Sequence, residues 1–168
     1  MITPGLFSSA TDNWATPKQF FRQLNDVFHF TLDVCASASN HKCNRYFDIN
    51  DNGLARNWDG EIAWMNPPYG RRIIHWVKKA SETKGVVVGL LPSRTDPKWF
   101  QDYVLGKAIV IYLGGRLRFG DGIKPAPFGS ILAVWGDSGF SYEQLRVIAR
   151  NPFLPSSCYV ADSDLKAA

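Results

Sequence analysis

Long apolar runs are missing from this 168-residue chain: no stretch approaches the roughly 20 residues needed to cross a bilayer. Met1 to Ala10 has neither a basic n-region nor an apolar h-region, so no secretory signal is expected. Cysteine is scarce. Cys35, Cys43 and Cys158 have no metal-type or redox-type spacing, and an odd number argues against a disulfide framework. They suit a reducing cytoplasm, as small buried apolar residues. No Ser-His-Asp constellation or metal-ligand cluster is evident, and His75 falls inside an expected helix, so no metal is expected. Internal repeats and linkers are also missing, which leaves one domain over 14–150, a flexible start (1–13) and a peripheral tail (151–168).

Aromatic residues, by contrast, make up 14% of the chain and include six tryptophans, enough for stacking on flat ligands as well as for a core. Charge is unevenly spread. Met1 to Met65 carries 5 Lys/Arg against 7 Asp/Glu (−2), Asn66 to Lys124 carries 11 against 4 (+7), and the remainder 3 against 4 (−1). A basic centre between neutral flanks is the footprint expected of a polyanion partner.

Thr16-Pro17 reads as a helix start, Thr16 the N-cap and Pro17 the first helical residue, before apolar residues at helical spacing through Val27. Strands are expected at Phe28 to Val34, Glu61 to Met65, Val86 to Leu91, Ala108 to Leu113, Arg116 to Phe119 and Ser130 to Trp135, with a short one at Arg45 to Ile49. Helices are expected from Ile73 to Thr83 and after Pro97. The last strand pair flanks a Gly- and Pro-rich loop, Gly120 to Pro127. This alternation indicates an open, mostly parallel α/β sheet closing on an antiparallel C-terminal hairpin. Ligands in such sheets sit at the carboxyl ends of strands, where the small-residue loop after Val34 and the turn after Met65 fall.

Asn66-Pro67-Pro68-Tyr69 is the sharpest feature. An aromatic amino group is a poor nucleophile because its lone pair is delocalised into the ring. A side-chain oxygen and a main-chain carbonyl that accept its two hydrogens favour a more tetrahedral nitrogen. Asn66 offers the first, Pro67 the second on a rigid turn, and Tyr69 a face for stacking. Neutral Asn66 acts by positioning and polarisation, without full proton abstraction.

Trp64-Met65-Asn66-Pro67-Pro68-Tyr69-Gly70 resembles the Asn/Asp-Pro-Pro-Tyr/Phe motif of amino-methyltransferases. Together with Trp14-Ala15-Thr16-Pro17, Leu32-Asp33-Val34-Cys35-Ala36-Ser37, Leu90-Leu91-Pro92-Ser93-Arg94-Thr95-Asp96 and Ala126-Pro127-Phe128-Gly129-Ser130, it is similar to the phage and prophage DNA N6-adenine methyltransferases (Dam-like). The resemblance implies a Rossmann-like methyltransferase fold, transfer from S-adenosylmethionine to a flipped adenine in double-stranded DNA, and a phage or prophage protein in bacterial cytoplasm. It places Asp33, Cys35, Ala36 and Ser37 around the cofactor, with Trp14, Thr16 and Pro17 beside its methionine moiety. Asp51 or Asn52 would stand by its ribose or adenine, and Asn66 would border it. Ala36 and Ser37 stand where such loops more often carry Gly.

Arg71, Arg72, Arg94, Lys98, Arg116, Arg118 and Lys124 fall near strand ends or in loops and are the candidate DNA contacts. A monomer or weak dimer is expected, with no membrane partner. An RNA or protein-glutamine acceptor, a cytosine amino group and a DNA-binding relative without activity are the alternatives.

Overall fold

A computed structural model describes residues 14–120, 125–137, 139 and the backbone of 159–161. Helix α1 (Lys18–Phe28) buries Phe20, Phe21, Leu24 and Phe28 along one face. It ends where His29 turns left-handed (φ 54°) and Asn25 Oδ1 accepts the Phe30 N–H at 2.9 Å. Strand β1 is therefore only Leu32–Asp33, shorter than expected. Then come a 3₁₀ turn (Gly53–Ala55), β2 (Ile62–Met65), α2 (Ile73–Glu82), β3 (Val86–Pro92), α3 (Lys98–Tyr103), β4 (Ile109–Tyr112), β5 (Ser130–Trp135) and β6 (Tyr159–Ala161).

The sheet order is β1-β2-β3-β5-β4-β6. It begins parallel, β1 with β2 and β2 with β3, and ends antiparallel, because β5 inserts between β3 and β4 and β6 lies beyond β4. So the segment expected to be a peripheral tail supplies an edge strand at 159–161. Side chains alternate across the sheet. Trp64, Val88, Leu90, Leu132 and Val134 face α1, while Ala63, Met65, Val87, Leu91, Ile131 and Ala133 face α2 and α3. Covering both faces explains why β3 reads as the unbroken apolar run Val86 to Pro92.

Three expectations need correction. Arg116 to Phe119 is not a strand; the hairpin pairs β4 with β5. The segment opposite it contains Pro125 and Pro127, which lack an N–H, so one rung remains, Ala126 N–H to the Leu117 carbonyl at 2.9 Å. The Arg45 to Ile49 strand reduces to one bridge, Tyr46 beside Asp33. And Pro17, not Thr16, occupies the N-cap of α1, without a side-chain cap. The Thr16 hydroxyl is engaged elsewhere, as described below. The flexible start, Lys124 and most of the tail lie outside the described residues.

Candidate active site

At the carboxyl ends of β1 and β2 lies a cleft of about 500 Å³, a size that suits a cofactor. Trp14, Thr16, Asp33, Cys35, Ala36, Ser37, Asn52, Asn66, Pro67 and Pro68 all line it. The structure thus brings together four segments separated in sequence.

Asn66 follows the last residue of β2, and its side chain is held on three sides. Nδ2 donates to the Trp14 carbonyl and to Thr16 Oγ1, the latter at 2.9 Å. A carbonyl can only accept, so this pair fixes which way round the amide lies and directs Oδ1 toward Tyr69. The Tyr69 hydroxyl lies 2.9 Å from both Asn66 Oδ1 and the Leu90 carbonyl, two acceptors for one proton. Leu90 stands one residue past the end of its ladder with β2, so the phenol takes the place of a strand neighbour. Burial, with Cys35 nearby, holds that phenol well above its usual range and keeps it a donor.

Tyr69 itself does not line the cleft. Its ring packs against Phe119 and Phe128, centroids 6.3 and 5.6 Å away, and Trp14 packs against the same two rings. Tyr69→Phe would lose a buried hydrogen bond yet leave both Nδ2 anchors of Asn66 in place. The expected outcome is about 1 kcal/mol of lost stability in thermal melts, with methyl transfer kept within about tenfold of wild type.

Asp33 ends β1, buried. Its Oδ2 accepts the Lys42 N–H at 3.0 Å and its Oδ1 the Cys35 N–H at 3.4 Å. Burial raises its carboxyl above the ordinary aspartate range, against the downward pull of those two N–H groups and of the Lys42 and His41 charges. Ala36 and Ser37 line the cleft with small side chains, and their N–H groups are fixed, Ala36 by the Phe47 carbonyl at 2.9 Å and Ser37 by Asn40 Oδ1 at 2.7 Å. Burial pushes the Cys35 and Cys43 thiols up, Cys43 to about 12, so neither is a ready thiolate.

Asp51 and Asn52 part company. Asn52, left-handed at φ 52°, lines the cleft. Asp51 does not: its carboxylate accepts the Asp48 N–H at 3.0 Å and pairs with Arg56 at 3.5 Å. Pro17 also stands off the cleft. Sequence reasoning missed Asp48 and Ile49. The Asp48 carboxylate caps its own turn by accepting from the Asn50 and Asp51 N–H groups, and Ile49 is 91% exposed on the cleft wall. An isolated aliphatic residue amid Asp48, Asn50, Asp51 and Asn52 was the available signal.

Of the candidate DNA contacts, Arg72 reaches the cleft, and Arg71 and Arg94 are exposed. Lys98 pairs with Asp102 one helical turn on. Arg116 donates to the Ala126 carbonyl at 3.5 Å, and Arg118 is exposed on the same segment. Among the described residues no group of three or more metal-ligating side chains occurs, and no helix is long and apolar enough to cross a membrane.

A family model described as DNA N-6-adenine-methyltransferase (Dam) matches residues 5–134. A DNA N-6-adenine-methyltransferase of Haemophilus phage HP1 (strain HP1c1) is 32% identical over 117 residues, which are 66% of this chain and 68% of that protein. Another of the same description, from Escherichia phage T1, is 31% identical over 134 residues, 76% of this chain but 56% of its own length. The match spans little more than half of that phage T1 protein. With the family model covering most of its length, the chain belongs to the DNA N-6-adenine-methyltransferase (Dam) family.

Proposed function

We propose that this protein is an S-adenosylmethionine-dependent methyltransferase of Rossmann-like fold that methylates the exocyclic amino group of adenine in double-stranded DNA. The observation that carries the reading is the fixed amide of Asn66, whose oxygen orientation is set by two acceptors on Nδ2 at the rim of a cofactor-sized cleft.

The residues present suit the cofactor. Asp33 offers a buried carboxylate with lone pairs beyond its two backbone bonds, fit for an ammonium group. Ala36 and Ser37 keep the wall low with small side chains, and exposed Ile49 gives an apolar wall for a flat ring. Trp14 Nε1 is a buried donor without a partner among the described residues, beside the same cleft. S-adenosylmethionine, when bound, supplies an electrophilic methyl group.

The chain's own part is to hold the amine. A base inside a duplex is out of reach, so the adenine is flipped out toward the cleft. Asn66 Oδ1 accepts one amino hydrogen and the Pro67 carbonyl the other, which orients the nitrogen lone pair. The nitrogen exchanges one hydrogen for the methyl group, and that proton leaves to water because a neutral amide does not retain it. Stacking on Tyr69 requires Phe119 and Phe128 to yield, since both pack against its ring. Arg71, Arg72, Arg94, Arg116 and Arg118 are the proposed phosphate contacts.

The test is transfer of labelled methyl groups to unmethylated duplex followed by nucleoside analysis. N6-methyladenine is expected; label in RNA or protein alone would overturn the acceptor. A second outcome concerns pH. With its pKa raised, Asp33 is best tolerated protonated, so the free fold loses stability as pH rises through that pKa. The ionised form is the one that binds an ammonium. Cofactor affinity measured by calorimetry is therefore expected to rise across the acidic range, with a midpoint above that of an ordinary aspartate. Asp33→Asn is expected to abolish this step and weaken binding roughly 10- to 100-fold.

A further inference from the structure

We infer that Thr16 is a positioning residue: its hydroxyl, acting with the Trp14 carbonyl, locks the Asn66 amide in the orientation that presents Oδ1 to the acceptor amine. This rests on the reading of Asn66 given above. The resemblance implies a place for Thr16 beside the cofactor, and its position in sequence suggests a helix cap. The geometry gives Thr16 a further task, although it does line the cleft. Thr16 is 5% exposed, makes no cap bond for α1, and receives Asn66 Nδ2 at 2.9 Å across 50 residues of sequence.

An amide that loses its anchors can rotate by half a turn at little cost, because oxygen and NH₂ occupy nearly the same volume. Rotated, Asn66 would present hydrogens where the amine needs an acceptor, and the site would repel what it should hold. Two acceptors on one NH₂ oppose that rotation. The first is a main-chain carbonyl, which no substitution removes, so on the NH₂ side Thr16 is the part of the lock that side-chain chemistry controls, as the Tyr69 hydroxyl is on the Oδ1 side. The lock is also tied to the loop carrying Arg116 and Arg118, because the Gly120 N–H donates to the Ala15 carbonyl at 2.9 Å, between the two anchors. The Trp14 ring packs against Phe119 and Phe128 of the same loop region.

Thr16→Val keeps shape and removes the acceptor; Thr16→Ser keeps the acceptor and removes a methyl group. In Thr16→Val, kcat at saturating cofactor is expected to fall roughly 10- to 100-fold, while cofactor affinity by calorimetry stays within about threefold. Thr16→Ser is expected to restore kcat. Thr16→Ala removes the same acceptor and serves if Thr16→Val does not fold. A readout independent of turnover is the Asn66 side-chain amide resonance pair, assigned by its loss in Asn66→Ala. Its hydrogen exchange is expected to speed up about tenfold or more in Thr16→Val. Unchanged exchange, or a loss of cofactor affinity with kcat intact, would overturn the inference. If the wild-type protein methylates no adenine, the proposed function fails, and the exchange measurement still decides whether Thr16 holds the amide.

Discussion

Asn66→Ala is expected to lower methyl transfer to duplex DNA by roughly 10²- to 10³-fold, the usual scale for removing one preorganised polar group from a reacting centre. The substitution removes the oxygen proposed to meet the amine and also the NH₂ that satisfies the Trp14 carbonyl and Thr16. Stability should fall modestly, by about 1–2 kcal/mol, since the Trp14 carbonyl loses a partner. Tyr69 still has the Leu90 carbonyl to bond. Cofactor binding should persist, because Asp33 and the Cys35 to Ser37 loop are untouched. Single-turnover methylation alongside calorimetry separates these effects. An Asn66→Ala variant that binds cofactor and methylates at the wild-type rate would remove Asn66 from the chemistry.

The second large effect falls on stability. Gly53 opens the 3₁₀ turn under the cleft, and a Cβ there would lie 2.2 Å from the Val34 backbone carbonyl and 3.3 Å from the Trp76 ring. Gly53 is not left-handed, so the demand is for space, not for an unusual backbone angle. Backbone cannot rotate out of the way as a side chain can. The turn would have to lift off the end of β1, pulling on the Trp58 Nε1 bond to the Gly53 carbonyl (2.9 Å) and on the stacked Trp58–Trp76 pair. Gly53→Ala is expected to cost roughly 2–3 kcal/mol, a fall in Tm of about 4–12 °C at this chain length. Cofactor affinity should drop with it, because Asn52 and Gly53 both line the cleft. Gly60→Ala is the control: φ is +77° there, but nothing lies within 4 Å of the added atom. That change should cost about 1 kcal/mol. Equal melting of the two variants would show that the turn is looser than its packing implies.

Local pattern made much of this molecule legible. The run Val86 to Pro92, the stop at Asn66-Pro67-Pro68 and the helix from Ile73 each follow from apolar spacing and proline, both properties of neighbouring residues. What escaped depends on partners distant in sequence. Thr16 before a proline and a helix reads as a cap until Asn66 is folded against it. Tyr69 reads as a free stacking face until Phe119 and Phe128 arrive from the segment between β4 and β5. The alternation in Arg116 to Phe119 suits a strand, but the opposing prolines deny it a ladder. Asp48 and Ile49 looked like ordinary loop residues because the wall they build exists only once Tyr46 has bridged to Asp33.

The place of β5 has a consequence for how the chain is made. β3 and β4 share no hydrogen bonds; each pairs with β5, which is synthesised after both. On the ribosome β1, β2 and β3 can assemble in the order they emerge, but β3 then waits with one edge bare until Trp135 has left the exit tunnel. A stalled or truncated product ending in the 116–128 region would carry that bare apolar edge into the cell, where it is a template for aggregation. The last long strand is thus the one that makes the nascent protein safe to release.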